Sequence, residues 1–156
     1  MITSGQDLTQ FNEGLILEAK ADAQGKWSMG WGCDYWSGKP VVDGMSCTKA
    51  QADAQFLMSY SMASSRAATD ISLVEYAKLS PRRRAVLNDM AFEIGMVGLA
   101  QFKGMLAAIK QANWQAAADC LKASLLFSQV PGREARNMQI LLTDEWPRVT
   151  WDANQV

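Results

Sequence analysis

The sequence predicts an α+β fold in a single domain over 1–156. A small antiparallel sheet lobe over about 15–47 is joined by a long helix, about 48–75, to a larger helical lobe over about 76–147, and an N-terminal helix over about 4–13 belongs with that lobe. Three observations predict it. Gly25, Gly30, Gly32, Gly38 and Gly44, with Pro40, crowd into one stretch, so turns recur there every few residues. From Thr48 onward, helix-opening signatures follow one another almost to the end. The chain has 156 residues, 49% hydrophobic and 20% charged, which is the size and composition of one globular domain.

Each element follows from local chemistry. Ser4 is a candidate cap with Asp7 three residues on, and Leu8, Phe11 and Leu15 repeat at helical spacing until Gly14 ends the helix at Glu13. Leu15–Ala19 and Lys26–Met29 read as strands around a turn near Gln24-Gly25. Two such strands are marginal alone and must pack against something. Thr48-Lys49-Ala50-Gln51 is a capping-box signature for a long Ala- and Met-rich helix reaching the region of Val74. Ser80-Pro81 opens another, carrying Val86, Leu87, Met90, Ala91 and Ile94 and closing at Gly95. Further helices fit Leu99–Gln111, Asn113 (as cap) to Ser124, and Pro131 to about Thr143. Met90, Met96 and Met105 read as core. A cleft between the lobes is the expected place for a substrate.

Composition excludes several functions. There is no histidine, hence no Ser-His-Asp or Cys-His nucleophile pair, no imidazole base and no His-ligated metal. No cofactor is expected. With 15 basic and 16 acidic residues, the net charge of −1 argues against a nucleic-acid partner. The basic run Arg82-Arg83-Arg84 reads as a solvated face in a helix's first turn, where it opposes the macrodipole. Cys33, Cys47 and Cys120 lack metal-ligand spacing; Cys33 and Cys47 fit either a pair across a short loop or reduced thiols. Met1–Asp7 lacks a secretory pattern, and no apolar run of about 18 residues occurs. The expectation is a soluble chain that is not inserted in a membrane and whose export, if any, comes by other means.

Chemistry therefore falls to carboxylates. Glu13 sits where a helix meets the sheet lobe, and Asp22 stands just before the first turn of that lobe. In a hairpin centred near Gln24, residues 22 and 28 lie on opposite arms and can face one side, with Glu13 across from them at the base. Two carboxylates in different environments are what acid-catalysed bond cleavage needs: one keeps its proton, the other stays ionised. The spacing alone also arises by chance on surfaces rich in Asp and Glu.

The surrounding residues are more specific. Phe11-Asn12-Glu13-Gly14-Leu15, then Asp22-Ala23-Gln24-Gly25-Lys26-Trp27-Ser28-Met29-Gly30-Trp31-Gly32, resembles the catalytic segment of the phage lysozyme and endolysin family, of the type found in T-even phages. Similarity continues through Thr48–Ala52, Arg83–Gly95, Gly98–Phe102, Asn113–Ala117 and Gln129–Arg136, in order along most of the chain. There are departures. Cys33 stands where the family commonly has His, Glu93 where a glutamine is frequent, Ser28 replaces the commoner Thr, and the segment between Cys33 and Thr48 is short. The charge is also near neutral where the best-known member is strongly basic.

The resemblance implies a lysozyme-like fold and a monomeric glycosidase acting on peptidoglycan, at the β-1,4 bond from N-acetylmuramic acid to N-acetylglucosamine. Glu13 would be the general acid, Asp22 would stabilise developing positive charge and activate water, and the Ser28 hydroxyl would hold that water. Inversion, which the family pattern implies, needs carboxyl groups about 6.5–9.5 Å apart. Arg133 matches an arginine close to the catalytic Glu. Phe92 matches a cleft-lining aromatic, though plain helix core fits it as well; Gly32 either lets a sugar approach or serves a turn. Two rivals remain: a lytic transglycosylase, which needs no second carboxylate, and a non-catalytic cell-wall-binding virion component. Holin-released endolysin, virion-borne lysin and injected effector are all compatible roles.

Overall fold

The computed structural model describes residues 1–95, 98–149 and 151. Met96, assigned to the core from sequence, lies outside them. Helix α1 (Gly5–Glu13) opens on the expected capping box: Asp7 N donates to Ser4 Oγ (3.1 Å) and Ser4 N to Asp7 Oδ2 (3.0 Å). Gly14, at φ +71, closes it and turns the chain into the sheet lobe.

There β1 (Ile16–Ala21) and β2 (Trp27–Gly30) pair antiparallel, with Lys20 opposite Ser28 and Ala21 opposite Trp27. The other edge of β1 is covered by residues 45–47, through Ala19 N to Met45 O (2.8 Å) and Cys47 N to Leu17 O (2.9 Å). A second hairpin joins β3 (Tyr35–Trp36) to β4 (Lys39–Pro40). The small sheet does not stand alone. Trp31, at the tip of the tight turn after β2, is buried against Ala52, Phe56 and Tyr60 of the next helix, and its indole N–H donates to Asp53 Oδ1 (2.9 Å).

That helix, α2 (Lys49–Ile71), carries the Thr48–Gln51 capping box. It is shorter than the 48–75 read from sequence. Ser72, at φ +86, stops it, and the Ser72 hydroxyl accepts from Glu75 N (3.4 Å) to start α3 (Leu73–Lys78). The apolar pattern runs on through Leu73 and Val74, but both side chains are exposed, so periodicity there reported no packing.

Helix α4 (Pro81–Ile94) is the axis of the larger lobe, with every residue from Ala85 to Ala91 buried. Its Leu87 and Met90 belong to one core cluster with Leu8, Ile71, Leu121 and Ile140. Phe92 touches this cluster and also the Trp31–Phe56 cluster, so it sits at the junction of the lobes. The expected helix over Leu99–Gln111 is broken. Leu99 N donates to Asp70 Oδ2 (2.7 Å), a single 3-10 turn follows (Leu99–Gln101), and Phe102 at ψ +50 redirects the chain into α5 (Lys103–Lys110). Helix α6 (Trp114–Lys122) is capped by Asn113 as read, and α8 (Pro131–Thr143) keeps both expected ends. A five-residue α7 (Leu125–Gln129), capped by Ser124, is too short to show periodicity in sequence.

The arginine run is not a solvated face. Arg82, Arg83 and Arg84 are half-buried and stack on Trp146, Trp114 and Tyr76, with Arg83 3.7 Å from its ring centroid. Arg83 Nε also donates to Leu141 O (3.2 Å) near the end of α8, and Arg84 Nε to Leu79 O (3.0 Å) just after α3. Charges that oppose the dipole of their own helix thus serve the C-terminal ends of two others. The three cysteines are free thiols. Among the described residues, no helix is long and apolar enough to cross a membrane and no group of side chains could hold a metal ion.

Candidate active site

The site is assembled around Arg133, in the first turn of α8. Its planar guanidinium has five N–H donors, and all five are engaged. Nε and Nη2 grip the two oxygens of Asp89 (2.9 and 2.8 Å), and Nη2 also reaches the Asp89 carbonyl (3.1 Å). Nη1 is shared between Glu13 Oε1 (2.6 Å) and Glu93 Oε2. One buried positive charge therefore faces three carboxylates.

Asp89 is a buried charge in the middle of α4, tolerable only because it is paired and hydrogen-bonded. Asn137 Nδ2 (3.0 Å) and Asn12 Nδ2 (3.1 Å) complete its shell, and Arg136 Nε donates to Asn12 Oδ1 (2.8 Å). Full burial works to raise its pKa, but Arg133, then Asn137 and Thr9, outweigh that and hold the carboxyl below its ordinary range. The network also fixes the last turn of α1, where Asn12 precedes Glu13.

Glu13 behaves differently. Burial raises its pKa against the lowering pull of Arg133, Glu93 and Asp89 add to the rise, and it stands at about 7. Its second oxygen, Oε2, lies over Gly32. A Cβ built on Gly32 would come within 3.0 Å of Glu13 Cδ and would overlap Oε2. Gly32 therefore makes room for the carboxyl, and its φ of +75 suits the tight Met29–Cys33 turn that also buries Trp31. Gly32, Cys33, Asp34 and Tyr35 from the sheet lobe, Gln55, Ser59, Met62 and Arg66 from α2, and Phe92 from α4 line one cleft cavity of about 230 Å³.

Asp22 and Ser28 stand apart from the arginine cluster, and neither bonds to Glu13 or Arg133. Asp22 is exposed, and its Oδ1 accepts from Gln24 N and Lys26 N (both 2.9 Å), which shapes the hairpin turn and fixes the carboxylate. Its own backbone N–H donates to Lys26 O (2.9 Å), which continues the β1–β2 register, so Asp22, Lys26 and Ser28 project from one face. From that face Lys26 Nζ reaches Asp34 Oδ2 (2.9 Å) at the cleft lining.

Asp89 and Glu134 lie within the segments that carry the family resemblance but are not among the residues the sequence singles out. A signal existed for Asp89: an acid between Leu87 and Met90 on a helix read as core must find a cation. Glu134 is buried beside Arg133 and Asp89, with Asn137 Nδ2 3.4 Å from each oxygen, and burial raises its pKa to about 7. The Cys33 thiol, raised to about 11 by burial and then by Glu13, is a poor nucleophile.

A small sheet lobe on a helical lobe, with a half-buried carboxyl at the junction between them, defines the two-lobed lysozyme class of fold. The family model for phage lysozyme matches residues 10–137, which include Glu13, Asp22, Ser28, Gly32, Phe92 and Arg133. The chain belongs to the phage lysozyme family. It is similar to two probable T4-type lysozymes of Dictyostelium discoideum, numbered 2 and 1, each 24% identical over 92% of this chain and 96% of that protein. It is also 38% identical over 61 residues to the pre-baseplate central spike protein Gp5 of Enterobacteria phage T4, which covers 39% of this chain and 11% of the spike protein. Family and relatives support lysozyme-like hydrolysis of peptidoglycan as the class of activity.

Proposed function

We propose that the chain is an N-acetylmuramidase that hydrolyses the β-1,4 bond between N-acetylmuramic acid and N-acetylglucosamine, acting as a monomer on glycan strands during phage-type lysis of a bacterial host. The observation that carries this reading is Glu13: a cleft-side carboxyl whose proton is retained to about pH 7 although an arginine touches its other oxygen. Such a group protonates a glycosidic leaving oxygen. Oε2, the oxygen turned to Gly32, is the one free of Arg133 and carries the proton.

Bond cleavage leaves positive charge on the sugar. Asp22, on the exposed hairpin face, stabilises that charge and takes a proton from the attacking water, while the Ser28 hydroxyl on the same face holds the water. Direct attack of that water on the face opposite the leaving group inverts the anomeric centre. Phe92 and Gly32 lie along the sugar's path, and Arg133 keeps Glu13 in place. The test is digestion of purified peptidoglycan by wild type and Glu13→Gln. The wild type should release new reducing ends and Glu13→Gln should release none while giving the wild-type circular dichroism spectrum; equal release by both would remove Glu13 from the chemistry.

A further inference from the structure

Glu93 has no part in the mechanism above, yet it donates nothing and competes for the cation that touches the general acid. Arg133 spends three of its five N–H groups on Asp89, leaving the two on Nη1. One goes to Glu13 and the other to Glu93, whose side chain is 28% exposed at the cleft end of α4. We propose, resting on the assignment of Glu13 as general acid, that Glu93 is a positioning residue that sets the pH range of catalysis: it divides Arg133 Nη1 with Glu13 and faces Glu13 with a like charge, so that Arg133 anchors the acid without stripping its proton.

The groups facing Glu13 from each neighbouring element support this. Helix α8 supplies one cation, Arg133; α4 supplies two carboxylates, Asp89 and Glu93; and the turn after β2 supplies the neutral Cys33 thiol. Asp89 is neutralised by a two-point pair with Arg133. Of these groups Glu93 is the adjustable charge; from α2, Arg66 lines the same cavity beside Gly32 and Phe92. An arginine beside a carboxyl ordinarily drives it toward ionisation, and a like charge opposes this. Glu13 and Glu93 meet at the same nitrogen, Arg133 Nη1, so the attraction and the repulsion act at one place. Glu93 also acts across the cleft on Lys26, whose pKa is raised chiefly by its bond to Asp34 and in small part by Glu93.

The test compares pH profiles of kcat/KM, each normalised to its own maximum, for wild type, Glu93→Gln and Glu93→Ser, together with NMR titration of the labelled Glu13 carboxyl in each protein. Both substitutions remove the competing charge, and the exposed position lets at least one of them fold. The alkaline limb and the Glu13 titration should move down together by about one pH unit, a loss of about fivefold at pH 7 relative to each optimum. A side chain that served packing alone would change Tm and leave both curves where they were. Unmoved curves overturn the proposal. Failure of the Glu13 assignment would look different: Glu13→Gln would stay active, or the limb would not follow the Glu13 titration in wild type.

Discussion

Arg133 holds Asp89 at two points, Nε to Oδ2 at 2.9 Å and Nη2 to Oδ1 at 2.8 Å, on a carboxylate with no solvent exposure. This pair ties α8 to α4 at the floor of the site, and the position of Glu13 depends on it. Removing one partner of a buried pair strands the other in low dielectric, at a cost of about 3–5 kcal/mol. Asp89→Ala should lose that much in urea denaturation and also release Arg133 toward Glu13 and Glu93. A change under about 1 kcal/mol would contradict the arrangement.

Gly32→Ala tests the space over which Glu13 sits. The new methyl overlaps the carboxyl, so lysis activity should fall at least about tenfold, with about 1–2 kcal/mol of stability lost to strain at positive φ. Gly38 has the same kind of backbone, φ +77, with nothing within 4 Å of an added Cβ. Gly38→Ala should therefore show the strain in Tm without the loss of activity. If the two variants have equal activity, Gly32 is not shaped for the acid.

Asp22→Asn separates a structural role from a chemical one. The amide oxygen can still accept from Gln24 N and Lys26 N, so the hairpin turn should persist and Tm should stay within a few degrees. The negative charge is gone, and hydrolysis should fall by about 100-fold or more, since stabilisation of charge developing in the transition state is a large catalytic term. Retained activity would favour a single-carboxylate reaction.

Stability should depend on pH through Glu13 and Glu134. Both have folded-state pKa values of about 7 against an ordinary 4.5. Between those values the folded chain holds protons that the unfolded chain has released. Stability therefore falls as pH rises through that window and levels off above it. For Glu134, fully buried and outside the mechanism, the loss is of order 1–3 kcal/mol. Glu134→Gln should flatten the slope of Tm against pH between about 5 and 7; an unchanged slope would show that Glu134 is ionised in the folded state.

Much of this architecture was legible in the chain. Capping at Ser4, Thr48, Ser80 and Asn113, and the Pro131 start of α8, are local hydrogen-bond chemistry and fell where they were read. What was missed depends on the third dimension. Ser72 breaks a continuous apolar pattern because its backbone adopts a left-handed φ that no side-chain periodicity records. The arginine run looked solvated because two of its three aromatic partners, Trp114 and Trp146, lie more than 30 residues away. At the candidate site, local sequence singles out Glu13, Asp22 and Ser28, and in the structure Asp22 and Ser28 stand apart from the arginine cluster. The five-fold engagement of Arg133 joins α1, α4 and α8, and only the folded chain brings those helices together.

The most direct measurement is digestion of peptidoglycan in heavy-oxygen water, with mass spectrometry of the muropeptides and early NMR of the new anomeric centre. Hydrolysis by water held at Asp22 and Ser28 should place one heavy oxygen on every new N-acetylmuramic acid reducing end, formed first as the α anomer. Products ending in 1,6-anhydro-N-acetylmuramic acid, one water lighter and free of heavy oxygen, would contradict the account.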